Sequence, residues 1–448
     1  MAVALDRFPG RGYGSRPPVI APLKGRSLAL AVVLAALGAC APPERDAAPL
    51  DRLTFPTGLA FHEGRLVAVS SNFDLTYDAD DGGSVMTIAA DASLGAAAQV
   101  DGAVRIPSYG GQVAVAAPAP CGLPAAQVVS VSRKSRNAYV LALDGAGALS
   151  CGAGCELPLG AGGGMDPYGV TVACTPGRPA RAFVGFLRSS DGLPRLAEIT
   201  LGDVPSARTG VISNASGTTG TLAYDPDADR LFFTGLGSGT SLAWIDLAGG
   251  CRIGDDDAAC VVQQATLAAT VRGAALRALA LGALRPGVPR RLYAAATMYD
   301  ADLEASAGFR LEIGSALLVL ELEENAFGSV TPRFLGSIDM YFGAGEVRVL
   351  PAQPGRGDVV AVAAGEAGEI WLYDDDVGQF VAKVGRDPLT GAPLLGRLPY
   401  AMALETRADA VRIYVASFEE GFVSAVDVDP ENPGAPVIVP ARIAEVGR

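Results

Sequence analysis

The residues best equipped for chemistry are carboxylates gathered in loops. Tyr77-Asp78-Ala79-Asp80-Asp81 follows one apolar run, and Tyr299-Asp300-Ala301-Asp302 follows another far along the chain. Glu366 with Glu369, and Glu419 with Glu420, stand at corresponding places. Clustered hard oxygens suit Ca²⁺, which takes roughly six to eight of them in flexible geometry. The spacing is not that of an EF-hand, and acidic loops are commonly just solvated. A Ca²⁺ site is therefore expected, if anywhere, at Asp78, Asp80, Asp81, Asp300 and Asp302. A ligand-binding rim is expected at Asn72, Asp74, Tyr77, Tyr299, Glu419 and Glu420. The corresponding loop at Arg133, Lys134 and Arg136 is basic and interrupts that ring of charge.

Other reaction classes find little material. Histidine-assisted hydrolysis has a single candidate base, His62, in an expected hairpin turn, with no G-x-S-x-G beside it. Zinc and c-type haem would need histidine clusters or C-x-x-C-H, which are absent. The glycine run at Gly160 to Gly164 leads into the strand-like DPYGV, so it reads as a linker and not a phosphate cradle. Aromatic residues end or follow several apolar runs (Phe73, Phe186, Phe418, Phe422), where packing between structural units is the commoner role.

The elements that must position these loops are short strands. Half of the 448 residues are hydrophobic, and 56 glycines with 31 prolines are scattered along the chain, which suits many turns and few long helices. One pattern recurs: a strand often led by proline, a polar turn, a Val-rich strand, a loop and a third strand. It spans Phe55 to Asp91, Gly111 to Asp144, Tyr168 to Leu201, Thr221 to Asp246, Leu276 to Leu322, Glu346 to Tyr373 and Leu398 to Asp427. Such a unit cannot bury both its faces alone and must stack around an axis. Fourth strands are expected from linking segments such as Ala103 to Pro107 and Arg333 to Ile338. The fold class is all-β, a β-propeller counted at seven blades, with six or eight also compatible. The C-terminal VIVPARIAEV is expected to close the ring by completing a blade with the segment before Phe55. Loops joining second and third strands would then open on one face, near the channel mouth.

The N-terminus carries Arg7, Arg11, Arg16, Lys24 and Arg26 before the apolar run Leu28 to Leu37. That run is too short for a comfortable membrane span and ends in Leu37-Gly38-Ala39-Cys40. It resembles a bacterial lipoprotein signal, which implies cleavage after residue 39 and an acylated Cys40. Residues 40–52 would be a tether and 53–448 the propeller. Residue 41 is Ala, not Asp, which by the same resemblance implies the outer membrane. Removing residues 1–39 leaves 30 basic and 47 acidic side chains, a charge of 30 − 47 = −17. Nucleic acid is an implausible partner for so acidic a surface.

Six cysteines remain once Cys40 is set aside, an even number for an oxidising compartment. Cys251 and Cys260 flank one short segment and are expected to pair, which would contribute roughly 2.5–3 kcal/mol. Cys121, Cys151, Cys155 and Cys174 allow three pairings, none preferred.

RIYVASFEEGFVSAVDVD and RLFFTGLGSGTSLAWIDL resemble YVTN-type propeller repeats, and the likeness of repeat grammar covers nearly all of residues 53–446. With the lipobox, FPTGLA and SSNFDLTY, the chain is similar to uncharacterised lipoproteins of myxobacterial type. The resemblance implies fold and not activity. The expected function is a membrane-anchored, non-catalytic scaffold that binds a protein, peptide or glycan. The alternatives are a calcium-dependent, lactonase-like propeller hydrolase and a subunit of an envelope-assembly machine.

Overall fold

The computed structural model describes residues 48–443, apart from 76–81, 95–98, 161–162, 213–217, 235–240, 255–260, 268–273, 301, 303–305, 307–310, 326–327, 341–342, 388 and 440–442. Seven antiparallel sheets follow one another in sequence, each built from consecutive strands. They span residues 56–106, 110–158, 164–211, 221–266, 274–340, 344–384 and 399–438, here blades 1 to 7. The first strand of each blade touches the first strands of its neighbours, and Pro399–Thr406 returns to Pro56–His62. This is a seven-bladed β-propeller.

The blades form where local chemistry permits tight hairpins. Glu63 and Gly64 both take positive φ (46° and 80°) between paired His62 and Arg65, the backbone a two-residue hairpin demands. In blade 4 the Asp225 carboxylate accepts the N–H groups of Asp227 (2.9 Å) and Ala228 (3.2 Å), holding the next turn. The expected fourth strands are present as Val100–Ile106 and Val330–Met340.

The core is distributed, with one apolar layer in each seam between neighbouring blades. Phe186 lies in the layer between blades 2 and 3, a packing residue as its position in the repeat implied. Cys121–Cys174 ties those blades together at a Cα separation of 4.5 Å, and Cys151–Cys155 closes a short loop within blade 2. Cys251 is buried and disulfide-bonded, while its expected partner Cys260 lies outside the described residues. Cys40 also lies outside them.

Arginines staple the seams on the hairpin side of the ring. Arg290 reaches back to Asp225 and Asp227, Arg285 forward to Asp375, and Arg178 forward to Asp229. The closing seam differs from expectation. Val437–Ile438 is the outer strand of blade 7 itself, and Ile443 bridges to Val423 of the same blade. No strand from the segment before Phe55 joins that sheet among the described residues. Side chains hold the ring shut instead: Leu53 and Ile443 share the apolar layer between blades 7 and 1, and Asp91 of blade 1 meets Arg407 (2.5 Å) and Arg412 (3.2 Å).

Candidate functional site: the channel mouth

The seven first strands enclose an axial channel with a cavity of 530 Å³, and a second cavity of 420 Å³ opens at its mouth. The mouth lies on the face that carries the loops between second and third strands, as expected. What aims side chains into it is a repeated irregularity. Six of the seven first strands shift register near their start, at Pro56/Gly58, Gly110/Val113, Pro167/Val170, Leu276/Ala278, Ala344/Val347 and Pro399/Ala401. Only blade 4 pairs without a shift. A bulge adds a residue and re-aims it. The residues inside these shifts include Thr57, Gln112, Tyr168, Arg277, Glu346 and Tyr400, and all six line the mouth.

Strained backbone accompanies the bulges. Phe55, Tyr109, Asp166 and Leu398, just before or at the start of a bulge, have φ of 49°, 60°, 52° and 52°. Neighbours hold three of them in place. Phe55 O accepts from the Ser71 hydroxyl (2.8 Å), Tyr109 O from Arg133 N (3.0 Å) and Leu398 O from Phe418 N (3.0 Å). Strain that is over-determined in this way clusters at sites of function. The bulges need thin walls too: a Cβ on Gly111 would sit 2.6 Å from Tyr168 O.

Across the channel, the hydroxyls of Tyr168 from blade 3 and Tyr400 from blade 7 meet at 2.6 Å. Burial pushes both phenols up, Tyr168 well above the usual tyrosine range, so the pair stays neutral. Arg277 is held by Thr297 Oγ1 (2.8 Å) and by the Tyr299 hydroxyl (3.1 Å). Tyr299 therefore acts behind the mouth, positioning the arginine that faces it. Glu346 pairs with Arg348 and accepts from Met402 N. Burial still raises its pKa, outweighing the pull of Arg348. Glu312, also at the mouth, is raised by burial and by Glu366, against the pull of Arg277.

A carboxylate whose folded pKa is raised contributes stability below its ordinary value near 4.5 and loses it as pH climbs through the folded value. Glu346→Gln, which keeps an acceptor for Met402 N, should therefore be more stable than wild type at pH 7.5 and equal to it near pH 4. If burial of the charge costs about 1 kcal/mol, the gain in Tm for a domain of this size is roughly 1 °C. Melting curves at the two pH values check this, and an equal or lower Tm at pH 7.5 would contradict it.

An aromatic band leads from the mouth onto the outer face. Tyr400 stacks near Phe418 (5.3 Å between centroids), which meets Phe55 (5.1 Å) and Phe73 (5.6 Å), and Phe73 meets Tyr109 (5.7 Å). Phe73 is half exposed.

The expected rim is only partly assembled. Asn72 is fully buried and donates to Ser108 Oγ (3.1 Å), so it is scaffold and not rim. Asp74 is exposed, and Asp300 accepts the N–H of Asp302 (3.1 Å) in a local turn. Glu419 lies 4.0 Å from Arg397 out on the surface, and Glu420 approaches Gly396. Tyr77, Asp78, Asp80 and Asp81 lie outside the described residues. Among the described residues, no three His, Cys, Asp or Glu side chains are arranged to hold a metal ion. The mouth has mixed charge: Arg133 and Arg277 face it beside Glu312, Glu346 and Glu366, while Asp74 and Glu419 lie on the surface. His62 stands at the opposite end of its strand from Pro56, with Glu63 at 3.9 Å.

The bulge residues were open to a closer reading of the sequence. Each is a polar or aromatic residue interrupting the start of an apolar strand, as in FPTG, DPYG, LPYA, GGQV and LRAL.

No family model matches the chain, and no curated protein matches it. Solved structures do. Hydrazine synthase of Kuenenia stuttgartiensis matches at a TM-score of 0.55 and 15% identity, over 84% of this chain and 97% of that one. Sqt1 of Chaetomium thermophilum, bound to the N-terminus of ribosomal protein L10, gives 0.49 and 13%, over 86% and 87%. A functionally unknown protein from Desulfotomaculum acetoxidans gives 0.46 and 12%, over 74% and 86%. Identities this low speak to fold alone. The hydrazine synthase match agrees in fold with the class defined by the seven sheets, a β-propeller.

Proposed function

We propose that the chain is a lipid-anchored, extracytoplasmic propeller of the outer membrane, whose channel mouth recognises a protein, peptide or glycan without transforming it. The observation that carries the recognition reading is the convergence of six bulge side chains, two hydroxyls, two opposite charges, an amide and a threonine, on one 420 Å³ concavity. Concave sites with a few convergent polar groups are where ligands bind. The aromatic band beside it supplies rigid apolar contact area of the kind binding surfaces favour. The address is supported by the run Leu28 to Leu37 ending at Cys40, by the resemblance to YVTN-type lipoproteins, and by two disulfides that suit an oxidising compartment.

The experiment has two arms. Peptide and glycan arrays are probed with wild type and with a Tyr168→Ala/Tyr400→Ala variant of wild-type-like circular dichroism. Spots that lose at least about tenfold in signal support the mouth as the site, and a set of spots shared equally by both proteins removes it. Metabolic labelling with an alkyne fatty acid, expected on wild type and lost in Cys40→Ala, decides the anchor.

A further inference from the structure

Beside the mouth, on the same face, blades 1 to 3 enclose a shallow pocket of 450 Å³ whose charge opposes that of the whole chain. Among the described residues four cations, Arg133, Lys134, Arg136 and Arg188, surround it with one carboxylate, Asp166, a local charge of 4 − 1 = +3. The chain as a whole carries −13. Elsewhere the arginines of the seams are consumed by carboxylates of neighbouring blades. Here Lys134 and Arg136 are exposed and make no ion pair or side-chain hydrogen bond among the described residues. Arg188 is 74% exposed, at 3.3 Å from Asp166. Arg133 lines both this pocket and the mouth, and its Nε is buried without a hydrogen-bond partner among the described residues, with Asp166 Oδ1 3.9 Å away. A buried donor left without a partner is costly, and an arriving acceptor would offset that cost.

The wall is also held rigid. Tyr109, Arg136 and Asp166 all have positive φ (60°, 60° and 52°), so the basic loop and its aromatic neighbour are fixed in one arrangement before any ligand arrives. The apolar part consists of the half-exposed ring of Phe73, the Tyr109 ring set edge-on to it at 83°, and Met165.

We propose that this pocket binds an acidic peptide segment that carries an apolar side chain beside its carboxylates. Guanidinium forks match carboxylates, and Phe73 with Met165 gives the neighbouring apolar side chain a place. A neutral glycan would leave unpaired the excess positive charge that the described lining residues carry. A membrane surface would call for a flat or convex basic face, whereas this one is concave. The shared Arg133 makes pocket and mouth adjoining parts of one groove, so an extended chain could occupy both. The pocket's chemistry does not depend on what the mouth binds.

The test uses the folded propeller and a fluorescein-labelled peptide of four glutamates around one leucine, with its all-glutamine counterpart, read by anisotropy at low and physiological salt. The acidic peptide is expected to bind, despite the protein's negative charge, and to weaken with salt. Lys134→Ala/Arg136→Asn, in which asparagine tolerates the positive φ, should reduce affinity about tenfold or more. Phe73→Ala should reduce it by roughly threefold or more with no change of charge. Lys383→Gln, which removes a cation of blade 6 outside both the pocket and the mouth, should bind as wild type does, which separates the pocket from a general effect of charge. The proposal is overturned by equal binding of the glutamine peptide, by full affinity in the Lys134/Arg136 variant, or by no binding of the acidic peptide. Variant-sensitive binding of polyuronate or anionic vesicles in place of the peptide would overturn it equally.

Discussion

Gly185→Ala is expected to cost about 3 kcal/mol or more in folding free energy, enough to leave little native protein in a marginally stable domain. Gly185 lies in the second strand of blade 3 (Arg181–Ser189), and a Cβ there would fall 1.8 Å from Thr219 O. No rotamer relieves a methyl group against a backbone carbonyl. The segment entering blade 4 would have to retreat, and it is pinned: Thr219 N donates to Phe186 O (3.1 Å), and Thr219 Oγ1 accepts from Phe186 N (3.1 Å). Retreat would also move Gly220, whose carbonyl lies against the face of Gly169 beside the bulge that aims Tyr168. The lesion should therefore be felt both as lost stability and as disorder at the channel mouth. Urea denaturation measures it, with Gly249→Ala as the control because nothing stands within 4 Å of a Cβ there. If Gly185→Ala unfolds within about 1 kcal/mol of that control, the seam is softer than its geometry implies.

Glu198→Ala should be comparably severe, at about 3–5 kcal/mol, the cost of breaking a buried ion pair from one side. The Glu198 side chain is fully buried in blade 3, with Arg252 Nε at 2.8 Å and Arg181 at 3.8 Å, and it accepts Ile253 N (2.9 Å). Arg181 is itself 6% exposed, so losing Glu198 leaves it one carboxylate, Asp229 at 3.4 Å, beside the Cys251 carbonyl at 3.3 Å. Arg252 is one-third exposed and can turn to water, so the penalty falls on Arg181 and on the orphaned amide of Ile253. Glu198→Gln keeps an acceptor for that amide and should lie between alanine and wild type. Thermal or urea unfolding would refute the account if Glu198→Ala cost no more than Glu63→Ala, whose side chain is 73% exposed.

The blades were legible because strands and hairpins are local. RLFFT and SLAWID pair through a register that alternation and turn chemistry impose, and Asp246 at the end of one strand meets Arg230 at the start of the other. The same holds for Arg412 and Asp427. In these two blades the terminal acid that resembles the YVTN pattern is thus a cross-strand partner of arginine and not a ligand group. Tyr299, singled out from the sequence, stands behind the mouth and reaches it through Arg277. Asn72 turns into the scaffold and Glu419 onto the surface, a difference that the composition of their loops does not express.

Sequence alone determined the all-β class, the repeated unit and the face on which its loops open, while the structure fixed the count at seven. The first three follow from a period of two residues, from turn residues that permit positive φ, and from the need of every blade to cover its faces. Tertiary structure alone decided the site. A shift of one residue in register moves a side chain to the other face of its strand, and six such shifts place Thr57, Gln112, Tyr168, Arg277, Glu346 and Tyr400 at the mouth. Cysteine pairing was decided in the same way: Cys121 and Cys174 are 53 residues apart in sequence, and only the packing of blade 2 on blade 3 brings them together.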